Sequence, residues 1–380
     1  MVDGGWRCER PEVGNYLGFH HVTFWVGNAK QAATFYATRH GFKAIAYRGL
    51  ETGHRDVVTH VVRKNNVTFV FQSALTPGNA AMTEFLGVHG DAPKDIAFEV
   101  DDARAIFAGA VSRGARAVRA PWEETDEHGT VVMATIGVYG DTEHTFVQRC
   151  GYNGTYLPGY SVPRFVDPLQ DTLPEVPINF IDHFVANQAS NMVTSTAEMY
   201  EQLGFHRFWS IDDSQVYTEY SALRSVIVAN YDENIRIPIT EPADGSGKSQ
   251  VQEFVDYNGG PGVQHIAFNT DDIIAVCKSM RQRGMEFLPV PATYYDNLKL
   301  RLATSACKVA EDINTLRSLD ILVDFDSEGY LLQAFTRPCQ DRPTLFIEII
   351  QRENHLGFGV GNFKAVYEAI ERTQAERGNL

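Results

Sequence analysis

At 380 residues the chain has room for two domains, because single hydrophobic cores stop growing somewhere above about 250 residues. Its composition, 44% hydrophobic and 21% charged, is that of an ordinary globular protein. A net charge of −15 excludes nucleic acid and anionic membrane surfaces as expected partners, since both select positive charge. An anionic substrate would need a local cation, which a metal ion can supply.

The five cysteines, Cys8, Cys150, Cys277, Cys307 and Cys339, are odd in number and scattered. Neither a disulfide framework nor a thiolate zinc site is expected, and a reducing compartment, the cytoplasm, is. Met1–Pro11 is polar and does not read as a signal peptide. No apolar run approaches the ~20 residues that span a bilayer.

In chain order, FHHVTFWV (19–26) reads as a strand before FYATRHGF (35–42), a helix end with a glycine stop. Residues 94–121 then read as strand, Asp101-Asp102 helix start, amphipathic helix, glycine stop and a second strand ending in proline. HTFVQR (144–149) closes this stretch. Residues 151–177 hold five prolines and read as a linker. After it, IDHFVANQ (181–188) precedes MYEQLGF (199–205), as in the first copy. Residues 241–248 read as an exposed turn without chemistry.

Residues 264–291 overlay residues 94–121 without a gap, with nine identities that include both Asp pairs, Arg113/Arg283 and Gly114/Gly284. FIEIIQR (346–352) matches HTFVQR. The chain is therefore read as a duplication, with an N-terminal copy over 1–150, a linker over 151–177 and a C-terminal copy over 178–380. The paired Asp residues recur at helix starts, so they are read as caps.

Duplication separates structure from chemistry. A residue kept in both copies serves the fold, and one found in a single copy is a candidate for function. His183 stands opposite His21, His265 opposite Asp95, and Glu348 opposite Thr145. A lone histidine on an apolar strand is usually an ordinary core residue. Glu348 is different, because it interrupts the apolar run 345–350 and a buried carboxylate needs a partner. Two imidazoles and one carboxylate from separate strands make the ligand face of non-haem iron(II) oxygenases, with positions left open for substrate and O₂. Only the C-terminal copy offers this set.

Strand alternation places Phe346 on the face of Glu348, and Leu331, Gln333 and Phe335 on one face of 329–336. It points Gln264 away from the face of His265. Residues 357–362 read as a glycine-rich turn, with Asn362 capping the helix that follows. That helix carries the stripe Phe363, Val366, Tyr367 and Ile370, either as a docked terminal helix or as a lid.

Long stretches carry a resemblance to a known family: 19–36, AYRGLETG (46–53), KDIAFEV (94–100), FHRFWSIDD (205–213), TEYSALRS (218–225), QEFVDYNGGPGVQHIAF (252–268), ILVDFDSEGYLLQAFT (321–336) and QDRPTLFIEIIQR (340–352). Over nearly its whole length the chain resembles the animal type of the 4-hydroxyphenylpyruvate dioxygenase family. The resemblance implies an α+β fold of tandem duplicated vicinal-oxygen-chelate domains. Each is built of paired βαβββ modules forming an open barrel-like sheet, and a C-terminal lid helix follows. It implies one Fe(II) per chain on His183, His265 and Glu348, with O₂ as co-substrate. Substrate-pocket positions carry over to Ser225, Gln250, Gln264, Gln333, Phe335, Phe346, Phe358, Asn362 and Phe363, with no catalytic residue beyond the metal ligands.

The implied substrate is a small aromatic α-keto acid. It is decarboxylated oxidatively and hydroxylated on the ring with side-chain migration, giving homogentisate and CO₂ in tyrosine catabolism. A homodimer is also implied. The family commonly has Asn where Thr240 begins the motif Thr240-Glu241-Pro242, so no substrate contact is carried onto Thr240. Other readings are benzylic oxidation of the same substrate, as in hydroxymandelate synthase, a glyoxalase-like metal isomerase, and a binding protein without catalysis.

Overall fold

The computed structural model describes residues 10, 12, 14–163, 167–211, 222–243 and 247–379. Cys8, most of Met1–Pro11, residues 212–221 of the resembling stretches and residues 244–246 of the exposed turn lie outside them.

The first sheet comprises β1 (Tyr16–Trp25), β2 (Lys43–Arg48), β3 (Val57–Lys64), β4 (Val67–Ala74), β5 (Ala92–Val100), β6 (Arg116–Asp126), β7 (Gly129–Gly137) and β8 (Glu143–Cys150). The second comprises β9 (Ile181–Asn187), β10 (His206–Ile211), β11 (Ala222–Ala229), β12 (Arg236–Ala243), β13 (Gly262–Asn269), β14 (Leu322–Phe325), β15 (Tyr330–Phe335) and β16 (Phe346–Glu353). The strand orders are β2-β3-β4-β1-β5-β8-β7-β6 and β10-β11-β12-β9-β13-β16-β15-β14. They are the same order, displaced by one repeat, and each sheet joins two βαβββ modules through its central antiparallel pair, β1–β5 or β9–β13.

Helices cover the sheets: α1 (Ala29–His40), α2 (Ala80–His89), α3 (Ala103–Ser112), α4 (Val193–Gln202), α5 (Gln250–Asn258), α6 (Ile273–Gln282), α7 (Ala292–Ala303), α8 (Ile313–Ser318) and α9 (Val360–Arg377). The second Asp of each pair acts as read. Asp102 and Asp272 accept from the backbone N–H of Ala105 and Ala275, satisfying N–H groups that the first helical turn leaves open.

The two copies share one core. Tyr16, Phe98 and Phe146 of the first meet Phe184, Tyr200 and Phe205 of the second, and Phe42 and Phe69 meet Phe268. The Arg283 guanidinium ties across, donating to the carbonyls of Thr38 (2.9 Å) and Pro174 (2.7 Å). The proline-rich stretch is not merely a tether, since Tyr156 and Leu157 bury themselves against the first sheet. The opposite, concave face of each sheet has its own smaller cluster.

Two expectations fail here. Glu241 is not in an exposed turn. It is buried on β12, and its carboxylate accepts from the N–H groups of Met192 and Val193 at 2.7 and 2.9 Å, capping α4. Asn362 caps nothing. The helix starts two residues earlier, after Gly359, and Asn362 is fully buried within it.

His144 on β8 gives a pH prediction. With the ring neutral, its Nδ1–H donates to the Ile96 carbonyl (3.0 Å) and its Nε2 accepts from the Tyr200 hydroxyl (2.8 Å). Burial holds its pKa down at about 3, against 6.5 ordinarily. The unfolded chain therefore takes up a proton first, and stability falls as pH drops from 6.5 toward 3. By pH 5 the loss from this residue is about 2 kcal/mol. His144→Gln keeps a donor and an acceptor but cannot titrate. Its Tm should fall less between pH 7 and pH 5 than that of the parent, and equal slopes would remove His144 from the account.

Candidate metal centre

β9, β13 and β16 are neighbours at the centre of the second sheet, and each carries one member of the expected triad. His183, His265 and Glu348 offer ligand atoms within 4.8 Å of one another. Nε2 of His183 and Nε2 of His265 lie 3.3 and 3.2 Å from the same oxygen, Oε2 of Glu348. His183 and Glu348 are almost wholly buried. Burial alone would raise the Glu348 pKa, but the two imidazoles outweigh it and hold the carboxyl down at about 2. On His183 burial opposes the charge, while Glu348 and Asp182 together carry its pKa above the ordinary imidazole value.

Strict alternation breaks at two places that matter. Asp182 and Gln264 are the extra residues of β-bulges in the β9–β13 pairing, where the register shifts by one. A bulge turns consecutive side chains toward the same side. Gln264 therefore lines the cavity beside His265, contrary to the alternation reading.

Each candidate ligand is held by a second group, and each of those groups reaches the C-terminal segment. His183 Nδ1–H donates to Asp182 Oδ1 (2.8 Å), so Nε2 is the ring nitrogen that faces Glu348 and is left for a metal. Asp182 in turn accepts two bonds from Arg352, both 2.8 Å. Arg352 Nη1 donates to the carbonyls of His355 (3.1 Å) and Gly357 (2.6 Å), just ahead of α9. His265 Nδ1–H donates to Gln264 Oε1 (2.9 Å), and the Gln264 amide donates to Gln250 (3.0 Å), which hydrogen bonds to Tyr367 of α9. Glu348 Oε1 accepts from Gln333 (2.9 Å), whose Oε1 accepts from Asn362 of α9 (2.9 Å).

Gly359 is required in this arrangement. Its φ is +77°, and a Cβ there would collide with the Gln333 amide.

The cavity, about 70 Å³, is lined by these ligands and by eight of the nine expected pocket residues: Ser225, Gln250, Gln264, Gln333, Phe335, Phe346, Phe358 and Phe363. Asn362 sits behind Gln333 instead. The Phe346 ring stacks on His265 at 4.8 Å, and Phe358 meets His183 edge-on at 5.2 Å. Thr240, excluded as a contact, does line the wall, with its hydroxyl 3.2 Å from that of Ser225.

Asp182 and Arg352 escaped the sequence reading for different reasons. Asp182 lies outward under strict alternation. Arg352 has Arg149 opposite it, so the duplication assigned it to the fold. The short Asp-His pair on a buried strand was a usable signal.

The donor set fits a divalent metal. Both imidazoles are anchored at Nδ1 and aim Nε2 at one carboxylate oxygen, leaving one side open to the cavity.

Comparison with known proteins decides the family. Residues 180–304 match the model of the Glyoxalase/Bleomycin resistance protein/Dioxygenase superfamily. A 4-hydroxyphenylpyruvate dioxygenase from Danio rerio is 56% identical over 376 residues, covering 98% of this chain and 95% of that protein. One from Xenopus tropicalis is 55% identical with the same coverage. The chain belongs to the 4-hydroxyphenylpyruvate dioxygenase family. Membership in the 4-hydroxyphenylpyruvate dioxygenase family makes it a dioxygenase, an oxidoreductase of the metal-dependent vicinal-oxygen-chelate superfamily.

A mutant 4-hydroxymandelate synthase from Streptomyces coelicolor has the same fold, with a TM-score of 0.81 and 32% identity over 95% of this chain and 99% of that one. No helix among the described residues is long and apolar enough to cross a membrane.

Proposed function

We propose that the chain converts 4-hydroxyphenylpyruvate and O₂ to homogentisate and CO₂, using one iron(II) held by His183, His265 and Glu348. The observation that carries this is the convergence of two anchored imidazoles and a buried carboxylate on one side of an aromatic-lined cavity, in a chain of this family. Iron bound there supplies chelation of the α-keto acid and activation of O₂.

The remaining work falls to the chain. Phe335, Phe346, Phe358 and Phe363 enclose the ring and exclude water. The hydroxyls of Ser225 and Thr240 and the amides of Gln250 and Gln264 present hydrogen bonds to its phenol or to its acid end. Product identification after anaerobic iron(II) loading and O₂ addition tests the reading, and absence of homogentisate would overturn it. A homodimer in the cytoplasm completes it, and sedimentation checks the assembly.

The solved relative that is a synthase keeps benzylic oxidation in view as the competing outcome. Phe335 on β15 pairs with Glu348 on β16, and its ring lies 6.2 Å from those of both His265 and Phe346, so it limits where the substrate ring can lie. An aromatic pairing contributes about 1 kcal/mol beyond area burial, close to the 1.4 kcal/mol that makes a tenfold preference. Phe335→Ile should let benzylic product or hydroxyphenylacetate appear beside homogentisate in a single-turnover chromatogram. Homogentisate alone at unchanged yield would show that Phe335 does not steer.

We also infer that residues 1–150 form a scaffold without metal, joined through 151–177 to a catalytic unit over 178–380. Hydrogen-bond polarity supports this. Arg149 donates to His20 Nε2 (3.2 Å), so a neutral His20 carries its proton on Nδ1, 2.6 Å from His21 Nδ1. His21 then has its proton on Nε2. Where Asp182 makes His183 present a lone pair, His20 makes His21 present an N–H, which cannot bind a metal. His21→Ala should leave metal content and turnover unchanged apart from a loss of stability. A folded variant without metal would refute the division.

A further inference from the structure

The concave face of the first sheet holds a second cavity, of about 260 Å³. It is the counterpart of the metal site. His21, Asp95 and Thr145 line it where the sister copy has His183, His265 and Glu348. The bulges are repeated as well, with His20 and Lys94 among the extra residues of the β1–β5 pairing. The chain leaving β8 roofs it with Tyr156 and Leu157, as the chain leaving β16 roofs the other. Because the backbone is repeated, His21 and Asp95 occupy the strand positions that His183 and His265 occupy in the sister copy.

The chemistry at that point is bipolar. One end is a donor under positive potential: His21 offers Nε2–H, and Arg149 and Arg63 both act on its ring. The other end is a carboxyl, that of Asp95. Three carboxylates line the cavity, and two of them are paired, Glu143 with Lys94 (2.9 Å) and Glu124 with Arg48 (3.8 Å). Among the described residues Asp95 has no ion-pair partner within 4.0 Å. It is 8% exposed, and its Oδ1 has no hydrogen-bond partner, while Thr145 bonds to the carboxyl. Burial and then Glu143 push the Asp95 carboxyl up to about 8, the behaviour of an acid short of a countercharge.

We propose that this cavity is a second binding site, for a small zwitterion of the α-amino-acid type whose carboxylate accepts from His21 and whose ammonium donates to Asp95. The two charged groups of an α-amino acid sit on one carbon, so they span adjacent positions as the two oxygens of a chelating acid would. Both interactions are charge-assisted and shielded from water. Tyr156, Leu157 and Val118 enclose the remaining space and suit an apolar or aromatic side chain.

The test is calorimetric titration of the iron-loaded protein with L-phenylalanine, set against 3-phenylpropionate, which lacks the ammonium, and 2-phenylethylamine, which lacks the carboxylate. Phenylalanine should bind roughly tenfold or more tightly than either. Asp95→Asn should weaken it by a similar factor while keto-acid turnover is retained. Val118→Trp plugs the mouth from an exposed edge-strand position, so it should fold and also block binding. It decides the matter should Asp95→Asn not fold. No binding at millimolar phenylalanine, equal binding of the amine or the acid, or binding untouched by the variants would each overturn the proposal.

Discussion

Glu348→Ala is expected to lose the bound metal and, with it, turnover. The carboxylate is the single anion that both imidazoles face, at 3.3 and 3.2 Å. Removing it deletes one of three protein ligands and leaves His183 with Asp182 alone of the two carboxylates that raise its pKa. Loss of an orienting residue typically costs a metal site roughly 10–100-fold in affinity, and loss of a ligand should cost more. His183→Ala and His265→Ala should behave alike. The fold should survive, because the shared core lies on the other face of the sheet, among Phe184, Ile266, Phe268, Ile347 and Ile349. Metal analysis and O₂ uptake on purified variants check this, and stoichiometric metal retained in all three would sink the triad.

Removal of residues 357–380 is expected to leave a folded, metal-binding protein that consumes O₂ without matching homogentisate. α9 buries Ala365, Val366, Tyr367 and Ala369 against Leu223, Val251, Leu288 and Leu322. Each large apolar side chain fully buried contributes about 1.5–3 kcal/mol, so the closed position is the stable one. Without the helix, water enters the cavity and competes with the substrate ring.

Three hydrogen-bond chains end as well, those through Arg352, through Gln250 and through Gln333. Arg352→Ala cuts one of them without removing the helix and should uncouple partially. Asn362→Ala cuts another, from Gln333. The measurement is the ratio of O₂ consumed to homogentisate formed. A ratio unchanged by truncation would leave α9 a packing element.

The sequence by itself determined the duplication, the repeated strand–helix–strand passages and the three candidate ligands. These are local or repeated properties. The paired Asp helix starts recur 170 residues apart, the flanking apolar runs recur with small gaps, and an Asp or Thr stands in one copy where His265 or Glu348 stands in the other. Period-two alternation also placed Phe346 with Glu348 and Gln333 with Phe335 on the cavity side. The pocket positions themselves came from resemblance, not from any pattern.

Tertiary structure decided what alternation could not. A bulge shifts the face of every later residue, and whether it forms depends on the partner strand. Asp182 and Gln264 therefore turned inward where a strict strand sends them outward. The Asn362 reading failed for a similar reason. A left-handed Gly359 starts the helix early, and Gln333, 29 residues away, supplies the amide's partner. Arg352 looked structural because Arg149 matches it, yet its role rests on the residue it grips, Asp182 in one copy and His20 in the other. Such partners are set by which strands neighbour one another, and no window of sequence contains both.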